Sequence, residues 1–173
     1  IEGHAYLPKV HNNKLEFGYM PCKYKQKFDE ETKYLKNVYC IDIPKEIREA
    51  KMKDIFPDVT SRFETIKWLK DFIKTYEKNP HQKGLFLNGT FGCGKTYLIA
   101  ATLNELAKKN IKSGIIFWPD FLRNLKSKFK DNYEEEINYI KKLPILCIDD
   151  IGAETTTTWS RDEVLCPIVQ YRM

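Results

Sequence analysis

Apolar residues change their spacing along this chain, and the change divides it in two. From Ile1 to about Lys53, short apolar clusters are broken by Pro8, Gly18, Pro21 and Pro44, with a polar stretch over 23–36 between them. That pattern predicts an irregular arm or linker over 1–54, extended or partly ordered. Beyond it, Phe63, Ile66, Leu69, Ile73 and Tyr76 recur at helical intervals, and Ser61 and Glu64 have capping-box spacing. A helix of about four turns is expected there, ending before Asn79 and Pro80.

The rest alternates. Gly84-Leu85-Phe86-Leu87-Asn88 reads as a short buried strand, and Thr96 to Lys109 as a helix with Leu98, Ile99, Thr102, Leu103 and Leu106 inward. Gly114 to Trp118 predicts a second strand, leading to Pro119, which suits the first turn of a helix running to about Asp131 with Phe121, Leu122, Leu125 and Phe129 inward. A shorter helix follows over Glu134 to Lys142, then a third strand over Ile145 to Ile148 that ends at Asp149 and Asp150. A last helix is expected near Ser160, whose spacing to Glu163 again fits a capping box. Strands that are apolar on both faces and alternate with helices imply an α/β domain over 55–173, with a mostly parallel sheet covered on two sides. In such sheets ligands bind beyond the carboxyl ends of the strands.

Composition narrows the setting. The 173 residues carry a formal net charge of +5, a mild basic excess that suits a polyanionic partner without requiring one. Five cysteines, an odd number with no close pair, fit a reducing cytoplasm better than a disulfide framework. No apolar run approaches the roughly 18–20 residues of a membrane span, and 1–10 lacks the layout of a signal peptide.

The chemistry lies in the turn after the first strand. Gly89-Thr90-Phe91-Gly92-Cys93-Gly94-Lys95-Thr96 satisfies G-x-x-x-x-G-K-[ST], between a predicted strand and a predicted helix, where the mechanism of a phosphate loop requires it. Its glycines let successive backbone N–H groups face one anion, and the helix N-terminus adds partial positive charge. Gly89 to Thr96, with Tyr97 beside them, are therefore the candidate residues for ATP or ADP, Lys95 reaching the β- and γ-phosphates and Thr96 the Mg²⁺. Such a cradle needs a carboxylate at the tip of a neighbouring buried strand. Asp149 meets that need as the second metal residue, and Asp150 is the candidate to polarise an attacking water.

Gly84 to Lys109, the run Ile148-Asp149-Asp150-Ile151-Gly152-Ala153-Glu154, and Trp159 to Glu163 through Gln170 to Met173 together resemble the DnaI/DnaC family of bacterial helicase loaders. The likeness covers about 55–173 well and the arm weakly. It implies a three-layer P-loop AAA+ fold, ATP and Mg²⁺ binding, single-stranded DNA binding, possible self-assembly and partnership with the hexameric replicative helicase in primosome assembly. Against the family pattern, Met173 comes before the expected sensor strand and arginine finger, a group worth roughly 10³ to 10⁵ in rate; the expectation is a module truncated before its end that binds nucleotide better than it hydrolyses it. Arg161 and Arg172 read as surface or packing arginines. The family also carries an N-terminal zinc module that contacts the helicase, so 1–54 is read as its possible end, in which the arm offers His4, His11 and Cys22 while the partner cysteines of a tetrahedral site are expected before Ile1.

One surface suits DNA. On the helix from Pro119, Arg123, Lys126 and Lys130 share a face away from the apolar stripe, with Lys128 near, as a cationic track for a single strand. The bland reading is a solvated lysine-rich face. Two other functions compete: within the fold, a transposition helper ATPase of the IstB type, and from a different class, a small-molecule P-loop kinase, for which no arginine-rich lid is visible before Met173.

Overall fold

The first stretch folds as a hairpin. In the computed structural model, which describes residues 4–11, 14–41, 43–57, 60–128 and 133–173, strands β1 (His4–His11) and β2 (Lys14–Pro21) pair antiparallel, with Tyr6 opposite Tyr19 and Pro8 opposite Phe17. Cross-strand neighbours put Tyr6 within 5.8 Å of the Phe17 ring and 5.2 Å of the Tyr19 ring. Helix α1 (Lys23–Thr32) follows, capped by Cys22, whose sulfur accepts from the Lys25 amide at 3.4 Å. The expected irregular arm is thus a hairpin and a helix, and these form a unit of their own, Ile1–Tyr34.

The second unit, Leu35–Met173, begins well before the expected boundary near residue 54. Val38–Ile41 forms β3, the edge of a parallel sheet ordered β3-β4-β5, with β4 at Ser113–Phe117 and β5 at Ile145–Asp149. Val38 pairs with Ser113, and Phe117 with Asp149. Short helix α2 (Lys45–Arg48) and the turn after it are held by buried Asn104, whose side-chain amide donates to Arg48 O at 3.0 Å and Ala50 O at 2.8 Å. Sequence patterning passed over 35–54 because a four-residue strand flanked by charge carries almost no periodic signal.

Helices cover both faces of the sheet. Ile115 and Ile116 of β4 are fully buried and, by strand alternation, face opposite ways. Ile116 joins Trp118, Phe121, Leu122 and Leu125 of α5 (Trp118–Ser127), Ile137 and Ile140 of α6 (Tyr133–Lys141), and Val164 and Ile168 near the end of the chain. Helix α4 (Lys95–Lys108) packs on β4 as well, with Leu98, Leu103 and Leu106 buried, and α3 (Thr60–Thr75) lies against α4 through Ile66, Leu69 and Leu98. This is the three-layer α/β arrangement expected.

Local readings differ in four places. Gly84–Asn88 forms no strand, and Leu85 and Phe86 are 42% and 86% exposed. Phe63, expected inward, is exposed; α3 starts at Thr60, and the side chain of Ser61 lies outside the described residues. Helix α5 takes in Trp118 and ends at Ser127, while Phe129, Lys130 and Asp131 lie outside the described residues. The last helix opens with a π-helical segment, Trp159–Leu165, before α7 (Cys166–Arg172). Its cap is not Ser160, which is buried: the Thr157 hydroxyl accepts from the Ser160 amide at 3.1 Å, three residues earlier than expected. No helix among the described residues is long and apolar enough to cross a membrane.

Candidate functional site

Gly92 and Gly94 sit at φ 73° and 85°, a left-handed backbone that side chains resist, and Gly94 is the N-cap of α4. The loop therefore turns directly into the positive end of a helix. Within it, the Lys95 ammonium donates to Gly89 O at 3.0 Å and Thr90 O at 2.9 Å and stands 3.7 Å from Cys93 Sγ. Its positive charge thus lies over the loop. The next residue, Thr96, donates its hydroxyl to Asp149 Oδ2 at 2.6 Å. Two hard oxygen groups from elements well apart in the chain meet there, the kind of donor that Mg²⁺ prefers.

Asp149 closes β5, and the chain leaves the sheet at Asp150, whose φ of 54° is one of the left-handed conformations aspartate tolerates. The turn is fixed by the Gly152 amide, which donates to Glu154 Oε2 at 2.8 Å. Burial first, then the charge of Asp149, pushes the Cys147 thiol up to about 12, so the strand behind the carboxylate stays neutral.

A cavity of about 600 Å³ opens beside the loop. Gly89, Thr90, Gly92, Cys93, Gly94, Lys95 and Tyr97 line it; Phe91, 92% exposed, Thr96, Asp149 and Asp150 do not. Its far wall comes from residues that sequence reasoning missed, Asp54, Ile55 and Phe56 before α3 and Arg62 and Thr65 on it. Arg62 Nη2 donates to Cys93 O at 3.0 Å, and Tyr97 OH accepts from the Lys51 amide at 3.3 Å. A signal was present: Ile55-Phe56 is an apolar pair just before a predicted helix, with nothing in that helix's period to use it.

The cations of α5 are engaged. Arg123 is ion-paired with Asp120, Lys126 Nζ lies 5.6 Å over the Trp159 ring, and Lys128 Nζ donates to Glu136 Oε2 at 2.7 Å. Glu136 also accepts from Tyr39 OH at 3.0 Å, and desolvation together with that carboxylate raises the Tyr39 phenol well above its usual range. Lys130 lies outside the described residues. Arg161 pairs with Asp162, while Arg172 donates to the carbonyls of Lys141, Leu143 and Pro144, which gives both arginines structural partners. Among the described residues no group of three or more His, Cys, Asp or Glu side chains could hold a metal.

A phosphate loop opening a helix, a carboxylate brought to it from the tip of a parallel strand, and helices on both faces define a P-loop nucleotide-binding module. No protein-family profile matches the sequence. The chain is 38% identical to the replicative helicase loader DnaI of Bacillus subtilis (strain 168), an alignment that takes in 100% of this chain and 56% of that protein. A crystal structure of DnaI superposes with a TM-score of 0.72 at 42% identity over 82% of this chain and 72% of that one. The structure of a candidate primosome component from Streptococcus pyogenes serotype M3 gives a TM-score of 0.72 at 34% identity, covering 83% of this chain and 74% of that one. The chain belongs to the DnaI family, and it spans little more than half the length of the curated relative.

Proposed function

We propose that this chain binds ATP or ADP with Mg²⁺ and that, in the full-length protein, nucleotide binding and hydrolysis drive the loading of a hexameric replicative helicase onto single-stranded DNA during primosome assembly in the cytoplasm. The observation that carries the reading is the Thr96–Asp149 contact beside the phosphate loop. Lys95 would exchange its loop carbonyls for the β- and γ-phosphates, Thr96 and Asp149 would hold the metal, and Asp150 would take the proton of the attacking water. When bound, Mg²⁺ supplies charge neutralisation at the phosphates. Gly89 to Tyr97 form the nucleotide-binding segment, and Arg123, Lys126 and Lys130 offer the strand a basic face. Self-assembly and a zinc-bearing N-terminal domain in the full-length protein complete the proposal. DnaI relatives favour this reading over a transposition helper or a small-molecule kinase.

Titration calorimetry with Mg-ATP tests the site: the parent chain binds, and Lys95→Ala loses most of that affinity. Equal heats from both proteins reject it. A pull-down of the full-length protein with its replicative helicase, with and without ATP, tests the purpose; no capture under either condition removes the loader role.

A further inference from the structure

The cavity holds a second cation that the phosphate-loop pattern does not account for. Arg62 lies in the first turns of α3, lines the cavity and donates to Cys93 O at 3.0 Å. We propose that Arg62 is a positioning residue for the phosphate loop, keeping it in the form that receives phosphate. The proposal deepens the nucleotide-binding reading and rests on it.

A trans peptide is planar, so its C=O and its N–H point in opposite directions. Tying Cys93 O to Arg62 therefore fixes where the Gly94 N–H points, in the stretch whose amides form the anion cradle. Lys95 cannot serve this purpose. It spends its donors on Gly89 O and Thr90 O, and it must give those up to reach a phosphate. Arg62 binds a carbonyl from outside the loop, and with five donors in a rigid fork it can keep that bond when a phosphate arrives. Its own base is firm, because α3 packs on α4 through Ile66, Leu69 and Leu98. One helix thus steadies the loop that begins the other.

The test compares the chain with its Arg62→Ala and Arg62→Lys variants by the backbone amide resonances of 92–95 without nucleotide, and by Mg-ATP affinity. Arg62→Ala is expected to move the Gly94 amide resonance while those of Ile115 and Ile116 keep their parental positions, and to lower Mg-ATP affinity by on the order of tenfold, as loss of a charge-assisted hydrogen bond implies. Arg62→Lys recovers part of both. Unchanged loop resonances in Arg62→Ala overturn the proposal, and so do shifts spread equally over β4, which mark a general packing role. If the parent chain fails to bind Mg-ATP, the nucleotide reading falls, while the loop resonances still decide whether Arg62 positions the loop.

Discussion

The Thr96 hydroxyl donates to Asp149 over 2.6 Å, joining the first turn of α4 to the end of β5. Under the proposed function both groups would hold one metal ion, and neither can move alone without breaking a charge-assisted bond. Thr96→Ala and Asp149→Asn are each expected to weaken Mg-dependent nucleotide binding by about 1.5–3 kcal/mol, roughly tenfold or more. Asp150→Asn should leave binding intact and abolish turnover in the full-length protein. Calorimetry with and without Mg²⁺, beside a phosphate-release assay, separates the roles; parental turnover in Asp150→Asn removes it as the base.

The ion pair of Arg123 with Asp120 does not disqualify it as a DNA contact, since exposed pairs contribute only about 0–1 kcal/mol and yield readily to a phosphate. Changing Arg123, Lys126 and Lys130 together to Glu should lower single-strand affinity and reduce the log–log salt slope by about 0.7 per lost contact, with nucleotide binding unaffected. Fluorescence anisotropy of a labelled oligonucleotide across several salt concentrations reads both. An unaltered slope returns this face to plain solvent.

Asn104 is a buried side chain serving two backbone carbonyls, Arg48 O and Ala50 O. Asn104→Ala leaves both acceptors without that donor and should destabilise the second unit by about 1–3 kcal/mol. The urea midpoint measures it. A midpoint equal to the parent's would mean that the segment around Ala50 contributes nothing to the module.

Tyr39 carries a pH signature. Burial first, then the charge of Glu136, raises its phenol in the folded state above the unfolded value of about 10. Stability from the neutral phenol is therefore complete below about pH 10 and is lost as pH rises further. Tyr39→Phe should cost about 1 kcal/mol at pH 8 through the lost bond to Glu136, yet decline less steeply than the parent between pH 9 and 11.5. Parallel urea midpoints against pH for the two proteins would exclude Tyr39 as the titrating group.

The site's phosphate side was legible because its chemistry is contiguous: Gly89 to Thr96 lie in one run, and Asp149 ends an apolar stretch. The opposite wall was not. Asp54, Ile55 and Phe56 reach the cavity only because α3 turns back over α4, a tertiary relation that no local period encodes. Gly84–Asn88 shows the same limit from the other side, because an apolar run states that a segment suits a sheet without stating that a neighbour stands beside it. With Phe86 exposed, that neighbour is not among the described residues. Thr157 and Ser160 illustrate a finer ambiguity: both carry a hydroxyl at plausible cap spacing, and burial of Ser160 decides for Thr157.

The pairing of Val38 with Ser113 sets an order of events for a chain that leaves the ribosome from its N-terminus. Strand β3 is made before the phosphate loop, and its partner β4 only after it. Everything between them, the loop and both helices that flank it included, is a closure that must be completed before a single hydrogen bond of this ladder can form, and such non-local parallel pairing is slow. Until Ser113–Phe117 has emerged, the nucleotide site has no sheet behind it and Val38–Ile41 is an open strand edge in a nascent chain. Synthesis therefore passes through a window in which the module cannot yet recognise its ligand, and that window closes only when Ile145–Asp149 has joined β4 and brought Asp149 to Thr96.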